Sequence, residues 1–119
     1  MSNITQTLSE LVSVDGALCA AVVDSASGML LAEVGSGLDL DIASAGNTEV
    51  VRAKLRTMKA LGLDDAIEDI LITLTTQYHI IRPLRTNPDV FLYLALDRSK
   101  SNLAMARLKA KDCDEKIEL

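Results

Sequence analysis

Aromatic residues, cysteine and histidine are scarce in this chain of 119 residues. Aromatic side chains make up 3% of it, tryptophan is absent, and there are two cysteines and one histidine. Two cysteines far apart in the sequence fit neither a disulfide framework nor the ligand spacing of a zinc site. A single histidine without a nucleophile motif does not make a catalytic dyad or triad. The sequence therefore predicts a protein that is not an enzyme and that holds no metal and no cofactor.

Long apolar runs and an excess of basic residues are also missing. The longest apolar stretches, such as 17–23, are far shorter than the about 20 residues that a membrane-spanning helix needs. Acidic residues outnumber basic ones, 17 to 12, so the net charge of −5 disfavours binding to nucleic acid in general. Polar residues interrupt the first 14 positions, where a signal peptide would be apolar. We expect a cytoplasmic protein that neither inserts into membranes nor binds nucleic acid.

Aliphatic residues are what the chain has in abundance. Hydrophobic residues make up 49% of the sequence, and most of them are Ala, Val, Leu and Ile. The length fits one domain, 1–119. For a domain of this size the apolar share exceeds what one core requires, and an oligomer would bury the surplus.

The apolar periodicity predicts three helices and five strands. The helices are expected at 3–14, with Ser2 or Asn3 as the cap, at 39–61, and from about 101 onward, with Leu103, Ala104 and Leu108 pointing inward. The strands are expected at 17–24, 29–34, 67–76, 78–84 and 90–97, and the charged residues 112–119 are expected to fray. The first strand is apolar on both faces, which is typical of a central strand. Pro83 lacks an N–H group, so the fourth strand must be irregular or unpaired there.

The helix predicted at 39–61 carries two adjacent apolar stripes. One contains Ile42, Ala45 and Ala53, and the other contains Val51 and Leu55. A helix covers its own sheet with one stripe, so a second stripe indicates a second surface to cover.

Most residues that could carry chemistry have a simpler explanation. Cys19 lies in the doubly apolar strand, where a thiol is an inert packing group, and Cys113 in the charged tail is a bystander. His79 is a lone strand histidine with a structural or surface role. The Gly-Ser-Gly segment 35–37 follows a strand and precedes a helix, but it lacks the third glycine and the GK[ST] ending of nucleotide-binding loops. We interpret it as a turn.

Basic residues remain as candidates for contact with a partner. Arg52, Arg56 and Lys59 share one helix face, which is either a solvated face or a patch for an acidic surface. Arg82 and Arg85 flank Pro83, and an exposed pair there would also dock a partner.

Three stretches, taken in order, resemble the roadblock/dynein light chain family within the roadblock–longin group. The first is VDGALCAAVVDSASGMLLAEVG at 14–35, which resembles the family's helix–DG–strand–turn–strand opening. The second, YHIIRPL at 78–84, is similar to its penultimate strand. The third, VFLYLALDRSKSNLAMARLKA at 90–110, is similar to its last strand and the helix that follows. The resemblance covers essentially the whole chain.

The resemblance implies an α/β (α+β) fold of the order α-β-β-α-β-β-β-α, a profilin/longin-like sandwich. Its five-stranded antiparallel sheet would have the long helix on one face and the terminal helices on the other. Members of the family pair through the long helix and the strand that follows it. Here the dimer interface would contain Val50, Val51, Leu55, Met58, Ile70, Ile72 and Leu74.

The function that the resemblance implies is a non-catalytic one. Prokaryotic members are partners or regulators of small Ras-like GTPases, so this chain is expected to be a homodimeric adaptor or regulator of such a GTPase in a signalling or polarity system. The alternative is a dimeric scaffold or sensor module that acts without a GTPase, either by docking to a signalling kinase or by binding a small ligand.

Overall fold

The computed structural model describes residues 3–119, which form three helices and five strands. The elements are α1 (Ile4–Leu11), β1 (Ala17–Asp24), β2 (Met29–Gly35), α2 (Leu40–Ala60), β3 (Ile70–Thr73), β4 (Gln77–Pro83), β5 (Val90–Asp97) and α3 (Leu103–Lys116). The predicted order α-β-β-α-β-β-β-α is confirmed. Ser2, one of the two expected caps of the first helix, lies outside the described residues.

All five strands join one antiparallel sheet in the order β2-β1-β5-β4-β3. The first strand lies inside the sheet, where Ala21 is opposite Glu33 of β2 on one side and opposite Tyr93 of β5 on the other. The predicted central position of this doubly apolar strand is therefore correct. β2 and β3 are the two edges of the sheet.

The sheet has a core on each face because its strands alternate. In β5, Leu92, Leu94 and Leu96 pack toward α1 and α3, whereas Phe91 and Tyr93 pack into the cluster on the side of α2. The expected placement of the long helix on one face and the terminal helices on the other is confirmed.

The chain from 112 to 119 does not fray as expected. α3 continues to Lys116, and Asn3 at the start of α1 fastens its end. The Asn3 Nδ2 group donates to the carbonyl of Lys116 at 2.7 Å, and the Glu118 N–H donates to Asn3 Oδ1 at 3.0 Å. Cys113 and Ile117 are buried against α1 and the sheet. The charge of this segment does not predict its order, because the contacts that order it come from the other end of the chain.

The inward face of α3 differs in part from the expectation, because Leu103 packs against the core as expected but Ala104 and Leu108 do not. Ala106 and Ala110 are fully packed against the sheet, while Ala104 is exposed and Leu108 is 56% exposed. Small side chains occupy these inner positions, where α3 contacts β4 and β5.

β3 is shorter than the strand predicted at 67–76. Its last neighbour on β4 is Ile81, which is opposite Ile70. The β3–β4 turn is closed by the Leu74 N–H group, which donates to the Gln77 carbonyl at 2.8 Å. In an antiparallel ladder every second residue bonds to the same neighbour, so after Ile81 the next residue of β4 that should donate to β3 is Pro83. Pro83 has no N–H group, so pairing stops there and residues 63–69 leave the sheet.

Candidate functional site

The candidate site is the side of α2 that faces β4 and β3, together with the free edge of β3. Asp39 begins the helix, because its carboxylate accepts the N–H groups of Asp41 and Ile42 at 3.1 and 3.2 Å. The buried positions of α2 point to the sheet and include Val51 and Met58. These two residues were expected at a dimer interface, and they lie instead in the core of the chain itself.

α2 packs mainly against β1 and β2, so the other side of the helix borders a groove above β4 and β5. The residues on this side are small or exposed: Ala43 and Gly46 line the groove, and Ile42 is 71% exposed. A Cβ atom added at Gly46 would meet no other atom within 4 Å. The groove holds a cavity of about 300 Å³ lined by Leu38, Asp39, Ile42, Ala43, Gly46, Asn47, His79 and Tyr93.

A chain of polar side chains forms the floor of this groove. His79 Nε2 lies 2.8 Å from Gln77 Oε1 and donates to it, so His79 Nδ1 accepts the hydroxyl of Tyr93 at 3.1 Å. Burial is the main cause that raises the pKa of Tyr93 to about 12; the nearby Cys19 adds to the rise, and a side-chain hydrogen bond with Asn47 offsets part of it. Burial also lowers the pKa of His79, which favours the neutral ring that these hydrogen bonds need. The arrangement gives His79 a structural role.

The edge of β3 leaves backbone groups free. Ile70 and Ile72 are the residues that exchange hydrogen bonds with β4, because the ladder alternates from the bond at Leu74. The N–H and C=O groups of Leu71 and Thr73 consequently point away from the sheet. Such an edge is a ready template for another strand.

The other residues expected at a dimer interface lie on or near this side. Val50, Leu55 and Leu74 are 37%, 45% and 40% exposed. Ile70 and Ile72 are partly buried at the border of the core cluster on the side of α2. Whether these five residues meet a second copy stays a prediction.

The basic residues fall into two groups. Arg56 and Lys59 are exposed on α2, whereas Arg52 donates to the Ala26 carbonyl at 2.6 Å and so holds the β1–β2 turn against the helix. Arg85 is exposed, with only a loose ion pair of 4.0 Å to Glu115.

The expectation that Arg82 is exposed is wrong. Its side chain is 5% exposed, and its Nε donates to Asp114 Oδ2 at 2.8 Å. The partner is 32 residues away in the sequence, which explains why local patterns do not show it.

Both cysteines are buried thiols. Cys19 is inaccessible within β1, as predicted, and Cys113 is inaccessible beneath α1, which corrects its expected position in a frayed tail. Burial raises the pKa of each thiol above its ordinary value. Neither thiol has the electropositive, accessible surroundings of a reactive cysteine.

A second and larger cavity, of about 700 Å³, lies at the gap where residues 65–68 leave the sheet. Its lining residues are Val51, Leu55, Asp65, Ala66, Ile67, Glu68, Arg82, Pro83, Leu84, Arg85, Pro88 and Lys111. Only the missing N–H group of Pro83 signals this cavity in the sequence.

The described part of the chain has neither a cluster of metal-ligating side chains nor a helix suited to a membrane. Within residues 3–119, no group of three or more His, Cys, Asp or Glu side chains is placed to hold a metal ion. None of the helices described is long and apolar enough to cross a membrane.

Comparison with solved structures identifies the fold. The structure of MglB from Myxococcus xanthus superposes with a TM-score of 0.83 at 17% identity, covering 95% of this chain and 89% of that one. A Roadblock/LC7 domain from Streptomyces avermitilis gives 0.80 at 12% identity, covering 92% and 90%. The gliding protein MglB from Thermus thermophilus gives 0.79 at 19% identity, covering 92% and 82%. No family model and no curated protein matches the sequence. The chain has the fold of roadblock/LC7 domains, as its sequence motifs predicted.

Proposed function

We propose that this chain is a non-catalytic homodimeric adaptor or regulator that binds a small Ras-like GTPase. The observation that carries the proposal is the open side of α2 beside the bare edge of β3, in a chain with the fold of MglB and of a Roadblock/LC7 domain. The resemblance of its sequence motifs to the roadblock family supports the GTPase as the partner. The prokaryotic proteins of that family are GTPase partners or regulators.

Shape and hydrogen-bonding capacity support a second copy of the chain as the occupant of the open side. The outward N–H and C=O groups of Leu71 and Thr73 would pair with the same groups of the second copy, which joins two sheets of five strands into one. Ala43 and Gly46 leave room for a second α2 to approach closely. Exposed apolar groups such as Val50 would be buried at this contact.

The dimer is tested by Thr73→Pro. Because the Thr73 N–H points away from the sheet, a proline there removes a hydrogen bond between copies and none within the chain. Light scattering of the wild type at micromolar concentration should give twice 12.8 kDa, and the variant should give 12.8 kDa with an unchanged circular dichroism spectrum. The matched control Thr73→Val keeps the N–H group and should stay dimeric. A wild-type protein at the mass of one chain would contradict the proposal.

The partner is tested by capture from the native cytosol. The protein is immobilised and loaded in turn with extract containing a GTP analogue or GDP, and the bound proteins are identified by mass spectrometry. The proposal expects a small Ras-like GTPase in one of the two states. Absence of a GTPase in both states would contradict it.

Charge reversal locates the GTPase surface. Arg56→Glu with Lys59→Glu should weaken capture about tenfold if an acidic patch of the GTPase faces α2, and should leave the mass of the dimer unchanged. The control is Arg107→Glu on α3, on the opposite face of the sheet, paired with Asp69→Arg so that their ion pair is kept in reverse. Equal losses in both variants would place the GTPase elsewhere.

The second candidate, a sensor module without a GTPase, is favoured by one observation. The cavity of about 700 Å³ has the size of a small-molecule site, since such sites measure roughly 300–1,000 Å³. A stable dimer that captures no GTPase would support this candidate.

A further inference from the structure

The larger cavity exists because the sheet edge splits. Pro83 ends the pairing with β3, so residues 65–68 diverge from β4 and leave a gap beside it. Apolar groups line much of this gap, among them Val51 and Leu55 from α2 and Ile67 from the diverging segment. The gap can bury an apolar ligand.

A nearly buried guanidinium lines the same cavity. The Arg82 side chain is 5% exposed, and its Nε donates to Asp114. Within residues 3–119, the two terminal nitrogens of Arg82 have no hydrogen-bond acceptor. Arg107 and Arg98 differ in this respect, because each donates from a terminal nitrogen to an oxygen of the protein. A buried guanidinium with unused N–H groups binds a carboxylate by paired hydrogen bonds.

The charges around the cavity are separated by element. β4, the loop after it, and α3 supply the cations Arg82, Arg85 and Lys111, while the segment between α2 and β3 supplies Asp65 and Glu68. A dianionic phosphate would meet repulsion from these two carboxylates. A simple fatty acid would leave the carboxylates without a counter-charge. An occupant with one carboxylate, one ammonium and an apolar body satisfies both sides.

We propose that this cavity binds an apolar amino acid or a short apolar peptide, with its carboxylate on the terminal nitrogens of Arg82 and its ammonium toward Glu68. Arg85 and Lys111 at the rim attract the carboxylate, and the side chains of the ligand pack against Val51, Leu55 and Ile67. The site does not depend on the GTPase.

Calorimetric titration with three forms of one dipeptide tests the proposal. Leucyl-leucine should bind, and its C-terminal amide should bind at least about tenfold more weakly, because hydrogen bonds between charged groups contribute roughly 1.5–3 kcal/mol. N-acetyl-leucyl-leucine should bind a few fold more weakly, because Glu68 is exposed and its attraction is screened. Absence of binding up to about 10 mM, or equal binding of the amide, would overturn the proposal.

Variants place the ligand in the cavity. Ala66→Trp puts a large side chain into the lining of the cavity and should abolish binding, while Ala104→Trp, at an exposed position on α3 outside the cavity, should leave it unchanged. Arg82→Lys keeps the positive charge opposite Asp114 but loses the paired N–H donors of the guanidinium. The variant should therefore bind leucyl-leucine as weakly as the wild type binds the amide. Circular dichroism checks that Arg82→Lys folds. If that variant does not fold, Ala66→Trp alone tests whether the dipeptide binds in the cavity. Unchanged binding by Ala66→Trp would show that the dipeptide binds elsewhere.

Discussion

The two faces of the sheet are covered to different extents. The face beneath α1 and α3 is closed by contacts within the chain, except at the larger cavity: Asn3 ties the two helices together, and Arg82 on β4 pairs with Asp114 on α3. The face beneath α2 is covered by one helix over β1 and β2, and its other half keeps an open groove and exposed apolar side chains such as Ile42 and Leu55. One face therefore serves the stability of the chain, and the other is available to a partner.

The largest expected effect comes from the buried ion pair on the closed face. Asp114→Ala should lower the free energy of unfolding by about 3–5 kcal/mol, because it leaves the buried Arg82 charge without its partner. Urea denaturation measures the loss. The double variant Arg82→Met with Asp114→Leu should recover much of it, because both charges are removed together. An Asp114→Ala protein as stable as the wild type would show that the closed face does not depend on this pair.

Truncating one leucine on each face compares the faces directly. Leu8→Ala on the closed face should cost about 2–5 kcal/mol, because Leu8 is fully buried. Leu55→Ala on the open side should cost less than about 1 kcal/mol in the Thr73→Pro monomer, since Leu55 is 45% exposed there. Urea denaturation of both variants in that background gives the two values. Similar losses would contradict the distinction between the faces.

Acidification should weaken the open side through His79. Burial lowers the pKa of His79 in the folded state, so its contribution to stability is present above the unfolded pKa of about 6.5 and is lost as the pH falls through the folded value. The urea midpoint should therefore fall between pH 7.5 and pH 5 by more in the wild type than in His79→Gln, as checked by parallel titrations. An equal fall of the urea midpoint in both proteins would show that protonation of His79 does not lower the stability.

Thiol labelling should show the smallest difference. Cys19 and Cys113 lie toward different faces, but both are buried and burial raises both pKa values. Neither should react with a thiol reagent in the native protein, and both should react in urea. Rapid native labelling of Cys113 in a Cys19→Ser variant would mean that the end of α3 opens.

Most of the fold could be predicted because its signals are local. Alternation gave the strands, the 3.6-residue period gave α2, and the apolar run of β1 gave its central place. Pro83 predicted an irregular strand, and it ends the pairing of β3. The motifs at 14–35 and 90–110 added the roadblock fold.

The parts that could not be predicted depend on contacts between distant residues. Arg82 resembles a surface arginine until Asp114 is placed beside it, and residues 112–119 resemble a loose tail until Asn3 meets Lys116. At the candidate site, the periodicity of α2 indicated two surfaces, but it did not show that Val51 belongs to the inner one. The larger cavity needs four separate segments, which no single stretch of sequence displays.

Amide hydrogen exchange in β3 tests most directly whether the open side pairs with a second copy. We expect slow exchange at Leu71 and Thr73 when the protein is concentrated and fast exchange when it is diluted below the dimer dissociation constant. Ile70 and Ile72, which pair with β4, should be protected at both concentrations. Fast exchange at Leu71 and Thr73 in a sample whose mass is that of a dimer would contradict pairing through β3, because the two copies would then be joined by another surface.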